Sequence, residues 1–298
     1  MTRLLQSYTG TNRRGFTLRE LLVVLVVIVI LAAMLFPAIN AARESVRRVQ
    51  CCSNLKNLGF VMHQYHDIHK TFPSAQILDA DGKALHSWRT QLLPFLGQMQ
   101  LYEQLRLDEP WDNERNMSLV TQNNYYLPNC PTTDKVRRKA KIDEQACKLL
   151  TNYQVVVGPQ TPFERDRHTS FSDFERGTSH TYLVVETTTA VPWFSPIDLP
   201  FELLNCGVVA SASGIQSMGS HHTGGAYVVF ADGGENFVTN SKSPQDIALL
   251  KTMFLLAEPK NNGDHGVTTV TIKQSVGLHR SVESMNVGMR PRHRRLHS

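Results

Sequence analysis

The chain has 298 residues, 41% of them hydrophobic and 19% charged, with a formal net charge of +5. The length fits one large domain or two small ones, and the composition excludes a wholly disordered chain. Five Cys in a chain this long exclude a small disulfide-stapled scaffold. From Val267 to Ser298 there are six basic residues (Lys273, Arg280, Arg290, Arg292, Arg294, Arg295) against the single acid Glu283. The excess charge therefore belongs to a solvated tail and not to a basic face, which argues against a nucleic-acid partner.

Leu21 to Ile39 (LLVVLVVIVILAAMLFPAI) is an uninterrupted apolar run. About 20 apolar residues span a bilayer as a helix, and a soluble helix of this kind would lack a polar face. The apolar core of a cleaved secretory signal is shorter and ends in small residues at the cut site, whereas this run continues into Pro37 and more helix-forming sequence. The basic residues on the two sides nearly balance, Arg3, Arg13, Arg14 and Arg19 before the run and Arg43, Arg47 and Arg48 after it. The positive-inside rule therefore gives no orientation.

The apolar spacing then changes. Ile39, Ala42, Val46 and Val49, followed by Leu55, Leu58, Met62 and Tyr65, trace one stripe at helical spacing, with Arg43, Glu44, Arg47, Arg48, Asn54 and Lys56 on the other face. Phe72-Pro73 ends it. One helix is expected from about Thr17 to His69, roughly 80 Å long, and its amphipathic half needs a partner domain. That partner carries strand-forming runs at 153–157, 181–186 and 226–231, with Asp232-Gly233 as a turn and 235–238 as a return strand. Helices are expected over Leu92–Leu105 and about Lys135–Leu150. The expected fold is α+β, a long N-terminal helix packed on an antiparallel sheet.

The residues ahead of the apolar run read Arg13-Arg14-Gly15-Phe16-Thr17-Leu18-Arg19-Glu20. This resembles a type IV prepilin leader. The resemblance implies a cut after Gly15 by a prepilin peptidase, N-methylation of Phe16, and a role for Glu20 in pairing with the N-terminal ammonium of a neighbouring subunit. A carboxylate at the hydrocarbon edge is costly unless paired. Further segments extend the resemblance: AARESVRRVQCCSNLKNLG (41–59), HQYHDIHKTFPS (63–74), SWRTQLLPFLGQMQLYEQL (87–105), NCPTTD (129–134), TNYQVVVGP (151–159), RGTSHTYLVVE (176–186) and SHHTGGAYVVFADG (220–233). Together they resemble DUF1559, a family of pilin-like bacterial proteins whose members end in a motif named H-x9-DG. His222, Asp232 and Gly233 reproduce that spacing. The intervening strand keeps the His and Asp roughly 20 Å apart, so a turn role is expected for them and not acid–base chemistry. Cys51 and Cys130 match the family's two cysteines, and a bridge between them is expected in an oxidising exterior.

The apolar run, the helical spacing and the charge distribution predict a long helix at 16–70, transmembrane over about 18–39, then a globular head at 71–262 and a basic tail at 263–298. The resemblance adds a leader at 1–15. It also implies an inner-membrane, single-pass protein with its head outside the cytoplasm. Its partners are then the prepilin peptidase, membrane lipid and copies of itself or other pilin-like subunits. His63, His66 and His69 offer a metal site only if they converge, because at i, i+3 and i+6 they fan over about 120°. No cofactor is expected, and no G-x-S-x-G, H-E-x-x-H, Walker or G-x-G-x-x-G motif points to an enzyme. The loop at Gly214–Gly219 lacks the Lys of a phosphate loop. The competing reading is a membrane-anchored module that binds carbohydrate or a small solute, with Trp88, Trp111 and Trp193 lining a groove.

Overall fold

A computed structural model describes residues 17–123, 125–139, 147–165, 167–206, 217–240 and 243–257. Gly15, Phe16, the first half of the 214–219 loop and the basic tail at 263–298 lie outside the described residues. The chain divides into two compact units, Met1–Val46 and Arg47–Ser298.

The long helix α1 spans Leu18–His69 with Pro37 inside it. It opens on a capping box. Thr17 N and Oγ1 both donate to Glu20 Oε2 (2.9 and 3.0 Å), and Glu20 N donates to Thr17 Oγ1 (3.3 Å). This reciprocal pattern satisfies backbone donors that a helix start leaves unpaired. Residues 18 to 42 are all exposed, and in the second unit burial begins at Cys51 and continues through Asn54, Leu55, Leu58, Gly59, Val61 and Met62. The expected stripe is thus buried only from Cys51 onward. Val46 and Val49 are 66% and 67% exposed.

The second unit begins with the hairpin β1 (Gln76–Leu78) and β2 (Ala84–Ser87) and continues through the short helices α2 (Trp88–Gln91), α3 (Met99–Gln104), α4 (Glu114–Gln122) and α5 (Pro131–Lys139). The single helix expected over Leu92–Leu105 is instead broken by turns, and Gly97 takes φ +73° where a helix cannot continue. The sheet follows: β3 (Leu150–Val157), β4 (Tyr182–Pro192), β5 (Leu199–Pro200), β6 (Gly225–Phe230) and β7 (Glu235–Thr239), then helix α6 (Pro244–Thr252). Strand order is β5-β3-β4-β6-β7. Every pair is antiparallel except the short edge pair β3–β5.

One core packs Leu55, Leu58 and Met62 of α1 with Trp88, Leu92, Tyr153, Val184 and Val229. A second core gathers Val156, Tyr182, Val185, Ala226 and Val228 with Leu250 of α6 and Phe254. The sheet is covered on both faces, which explains why its strands read as apolar runs and not as alternating patterns. At Gly59 a Cβ would lie 2.7 Å from Val229 Cγ1, so the missing side chain lets α1 approach β6 closely.

Candidate functional site: a membrane anchor and a buried thiol, carboxyl and imidazole cluster

In the first unit, Leu21–Ile30 expose an unbroken series of large aliphatic side chains, each between 47% and 64% accessible. Nothing polar alternates with them. Water would have to hydrate the whole cylinder, whereas hydrocarbon solvates it at no such cost. This segment of α1 is long and apolar enough to cross a membrane. Glu20 stands at its N-terminal edge and is engaged by Thr17.

In the second unit, four side chains from distant parts of the chain converge. Cys51 comes from α1. Cys130 immediately precedes α5, where its carbonyl accepts from Asp134 N (3.2 Å) and Pro131 takes the first helical position that suits it. Glu186 lies on β4, opposite Tyr153 of β3. His222 precedes β6. One ligand atom from each lies within 4.8 Å of the others, and all four residues are buried. His222 Nε2 is 3.6 Å from Cys130 Sγ and 3.8 Å from Glu186 Oε1.

A surrounding layer fixes these groups. Thr132 Oγ1 is 3.3 Å from His222 Nδ1, and its hydroxyl suits either tautomer because it can donate or accept. Tyr153 OH donates to Cys51 Sγ (3.3 Å), and Tyr227 N donates to Glu186 Oε2 (3.3 Å). Glu186 Oε1 is buried and makes no hydrogen bond.

Electrostatics separate the two thiols. Burial pushes the Cys51 thiol well above its ordinary value. Cys130 is pulled well below it, first by a hydrogen bond from Cys51 and then, against the cost of burial, by His222. A position ahead of a helix favours a thiolate in the same direction. Burial raises the Glu186 carboxyl strongly, with Cys130 adding to the shift.

The sequence-derived candidates fall in different places. Cys51 and Cys130 do meet, but as free thiols inside the cluster. His222 belongs to the same cluster. Asp232 instead serves the β6–β7 turn, its Oδ1 accepting from Gly234 N (2.8 Å), and Gly233 takes φ +81° there. The histidines of α1 each find a different partner: His63 Nε2 lies 2.8 Å from Ala231 O, His66 Nε2 accepts from Phe171 N (3.4 Å), and His69 stacks on Tyr65 at 4.1 Å. Trp88 and Trp193 are fully buried, and Trp88 Nε1 donates to Asp198 Oδ1 (3.1 Å). They are core residues and line no groove. A cleft of about 1000 Å³ opens elsewhere, lined in part by Tyr65, His69, Gln91, Phe95 and Tyr102.

Glu186 is the residue that sequence reasoning missed. Its signal was parity. In Thr181-Tyr-Leu-Val-Val-Glu186 it shares the sheet face of Val184, a core position, so a carboxyl there points inward.

An apolar single-pass anchor leading into an α+β head is the layout of a type IV pilin-like protein. The N-terminus bears this out, because residues 10–36 match the prokaryotic N-terminal methylation motif, which marks a substrate of a prepilin peptidase and a structural subunit type. Residues 40–204 match the model described as "Protein of unknown function (DUF1559)", and the chain belongs to that family. No curated protein and no solved structure matches the chain.

Proposed function

We propose that this chain is an assembly subunit of a type IV pilus or a type II secretion-like apparatus, held in the inner membrane before it is incorporated. The observation that carries this reading is the exposed apolar stretch of α1, most of which lies within the methylation-motif match at residues 10–36, with Glu20 at its edge. In this reading the peptidase cuts between Gly15 and Phe16 at the cytoplasmic face and Phe16 is N-methylated. The apolar helix then passes from lipid to a bundle of like helices, and the second unit lies outside the cytoplasm. Glu20, which caps its own helix through Thr17, exchanges that partner for the new ammonium of a neighbouring subunit. A desolvated carboxylate gains most from an opposite charge.

Mass spectrometry of the protein from cells with an active prepilin peptidase tests this. A chain beginning at methylated Phe16 is expected, and an intact leader overturns the reading. Cross-links between neighbouring copies near residue 20 should weaken in Glu20→Ala.

The cleft beside Tyr65 and Phe95 favours a second reading, a membrane-anchored module for carbohydrate or a small solute. Its aromatic walls suit the apolar faces of sugar rings. Specific binding of the detergent-solubilised protein on a glycan array, abolished by Phe95→Ala, would support it.

A further inference from the structure

We propose that Cys51, Cys130, Glu186 and His222 form a closed site for one zinc ion, which ties α1 to the sheet and to the start of α5. The donor set is two thiolates, one imidazole and one carboxylate, the combination that a borderline divalent transition ion takes in a four-coordinate site.

The geometry fits that ion. Around tetrahedral zinc, with Zn–S of about 2.3 Å and Zn–N of about 2.0 Å, a sulfur and a nitrogen lie roughly 3.5 Å apart. His222 Nε2 and Cys130 Sγ are 3.6 Å apart. The outermost separation in the cluster, within 4.8 Å, needs to shrink by roughly 1 Å to reach the spacing of two sulfurs on one zinc. Rotation of Cys or Glu side chains supplies a shift of that size.

Two further observations point to a cation. Glu186 Oε1 is buried at the cluster with no hydrogen bond, whereas buried carboxyl oxygens are normally satisfied. The second layer is also the one a metal requires. Thr132 holds His222 by Nδ1 and leaves Nε2 toward the cluster, Tyr153 donates to Cys51, and the Tyr227 amide holds the other Glu186 oxygen. As the ion binds, thiol and carboxyl protons leave to solvent. All four ligands come from the protein and none is reachable by substrate, since each is at most 2% exposed. The site is structural.

The competing chemistry at the same atoms is a Cys51–Cys130 disulfide, which would consume both sulfur ligands. The test uses the full-length, detergent-solubilised protein, produced in zinc-supplemented medium and purified without reductant. Elemental analysis should return one zinc per chain. Cobalt substitution should give thiolate-to-cobalt charge transfer in the near ultraviolet with the visible bands of a tetrahedral ion. Cys130→Ser and His222→Gln should each lose the zinc on dialysis, while Cys52→Ser, which alters a thiol outside the cluster, should keep it. If the variants misfold, the wild-type cobalt spectrum and disulfide mapping decide alone. A Cys51–Cys130 bridge without zinc, absent charge transfer, or a zinc content indifferent to Cys130→Ser overturns the proposal.

Discussion

Arg89 and Asp198 form an ion pair at 2.7 Å in which both side chains are essentially inaccessible to water. Arg89 also donates through Nε to Trp193 O and through Nη2 to Ser195 O and Ile197 O, and through Nη1 to Tyr153 O. Asp198 Oδ1 accepts from Trp88 Nε1 and Val155 N as well. A flat fork of donors thus stitches β3 to the segment between β4 and β5, a geometry that an ammonium cannot copy. Arg89→Met strands a buried carboxylate, and a loss of about 3–5 kcal/mol in unfolding free energy is expected. Arg89→Met with Asp198→Leu should cost less than the single change, because no unpaired charge remains. Chemical denaturation of the three proteins checks the order.

Gly59 and Val229 set the approach of α1 to β6. In an isolated helix Gly→Ala gains up to about 1 kcal/mol, yet here the added Cβ would meet Val229 Cγ1 at 2.7 Å inside a packed core. Gly59→Ala should therefore destabilise, by about 1–3 kcal/mol as overpacking does. Val229→Ala removes the clashing methyl, so the double variant should be more stable than the two single losses added together. Additive losses would show that the contact does not govern the packing.

The long helix was legible because its period is local, and Phe72-Pro73 marked its end. The strands were legible because sheet cores concentrate β-branched residues. The parallel edge pair β3–β5 was not, since Leu199-Pro200 is too short to carry a pattern. The break between α2 and α3 was hidden because Gly97 is one residue inside an otherwise helical run. The cluster was hidden for a different reason. Its four ligands come from a helix, a helix start, a strand and a loop, with Cys130 and His222 alone 92 positions apart in the chain. Only the folded sheet brings them together, so no spacing motif exists to be read. His222 and Asp232 show the converse case, a fixed spacing in the chain whose two members serve different jobs.

His86 makes the second unit sensitive to acid. Its Nε2 lies 3.1 Å from Arg106 O and 2.9 Å from Glu109 O. Both are acceptors, so Nε2 carries the proton and the neutral ring leaves Nδ1 bare. Nδ1 is buried with no hydrogen bond. Burial lowers the His86 pKa below its ordinary 6.5, against the pull of the two carbonyls. The unfolded chain then binds a proton that the folded one refuses. Stability from this residue is present in full above about pH 6.5 and is lost as pH falls from there toward the lower folded value. Denaturation midpoints should rise between about pH 5 and pH 7, and the rise should be smaller in His86→Gln, whose amide can still donate to a carbonyl. An unchanged profile in the variant would remove His86 as a source.

Thr132 reaches the proposed ion only through His222, which separates positioning from ligation. Its hydroxyl, 3.3 Å from Nδ1, can accept the Nδ1 proton of the tautomer that leaves Nε2 as a lone-pair donor. Thr132→Val keeps the shape and removes that hydrogen bond, so zinc should still bind at one per chain but about 10–100-fold more weakly. In the wild type, free zinc at 100 times its dissociation constant should stabilise the fold by about 2.7 kcal/mol, and a chelator should remove that increment. In Thr132→Val the same zinc concentration should stabilise less, and raising it should restore the wild-type midpoint. His222→Gln, which deletes the ligand itself, should not be rescued at any concentration. A Thr132→Val protein whose zinc response equals the wild type would mean that the hydroxyl plays no part in holding the imidazole.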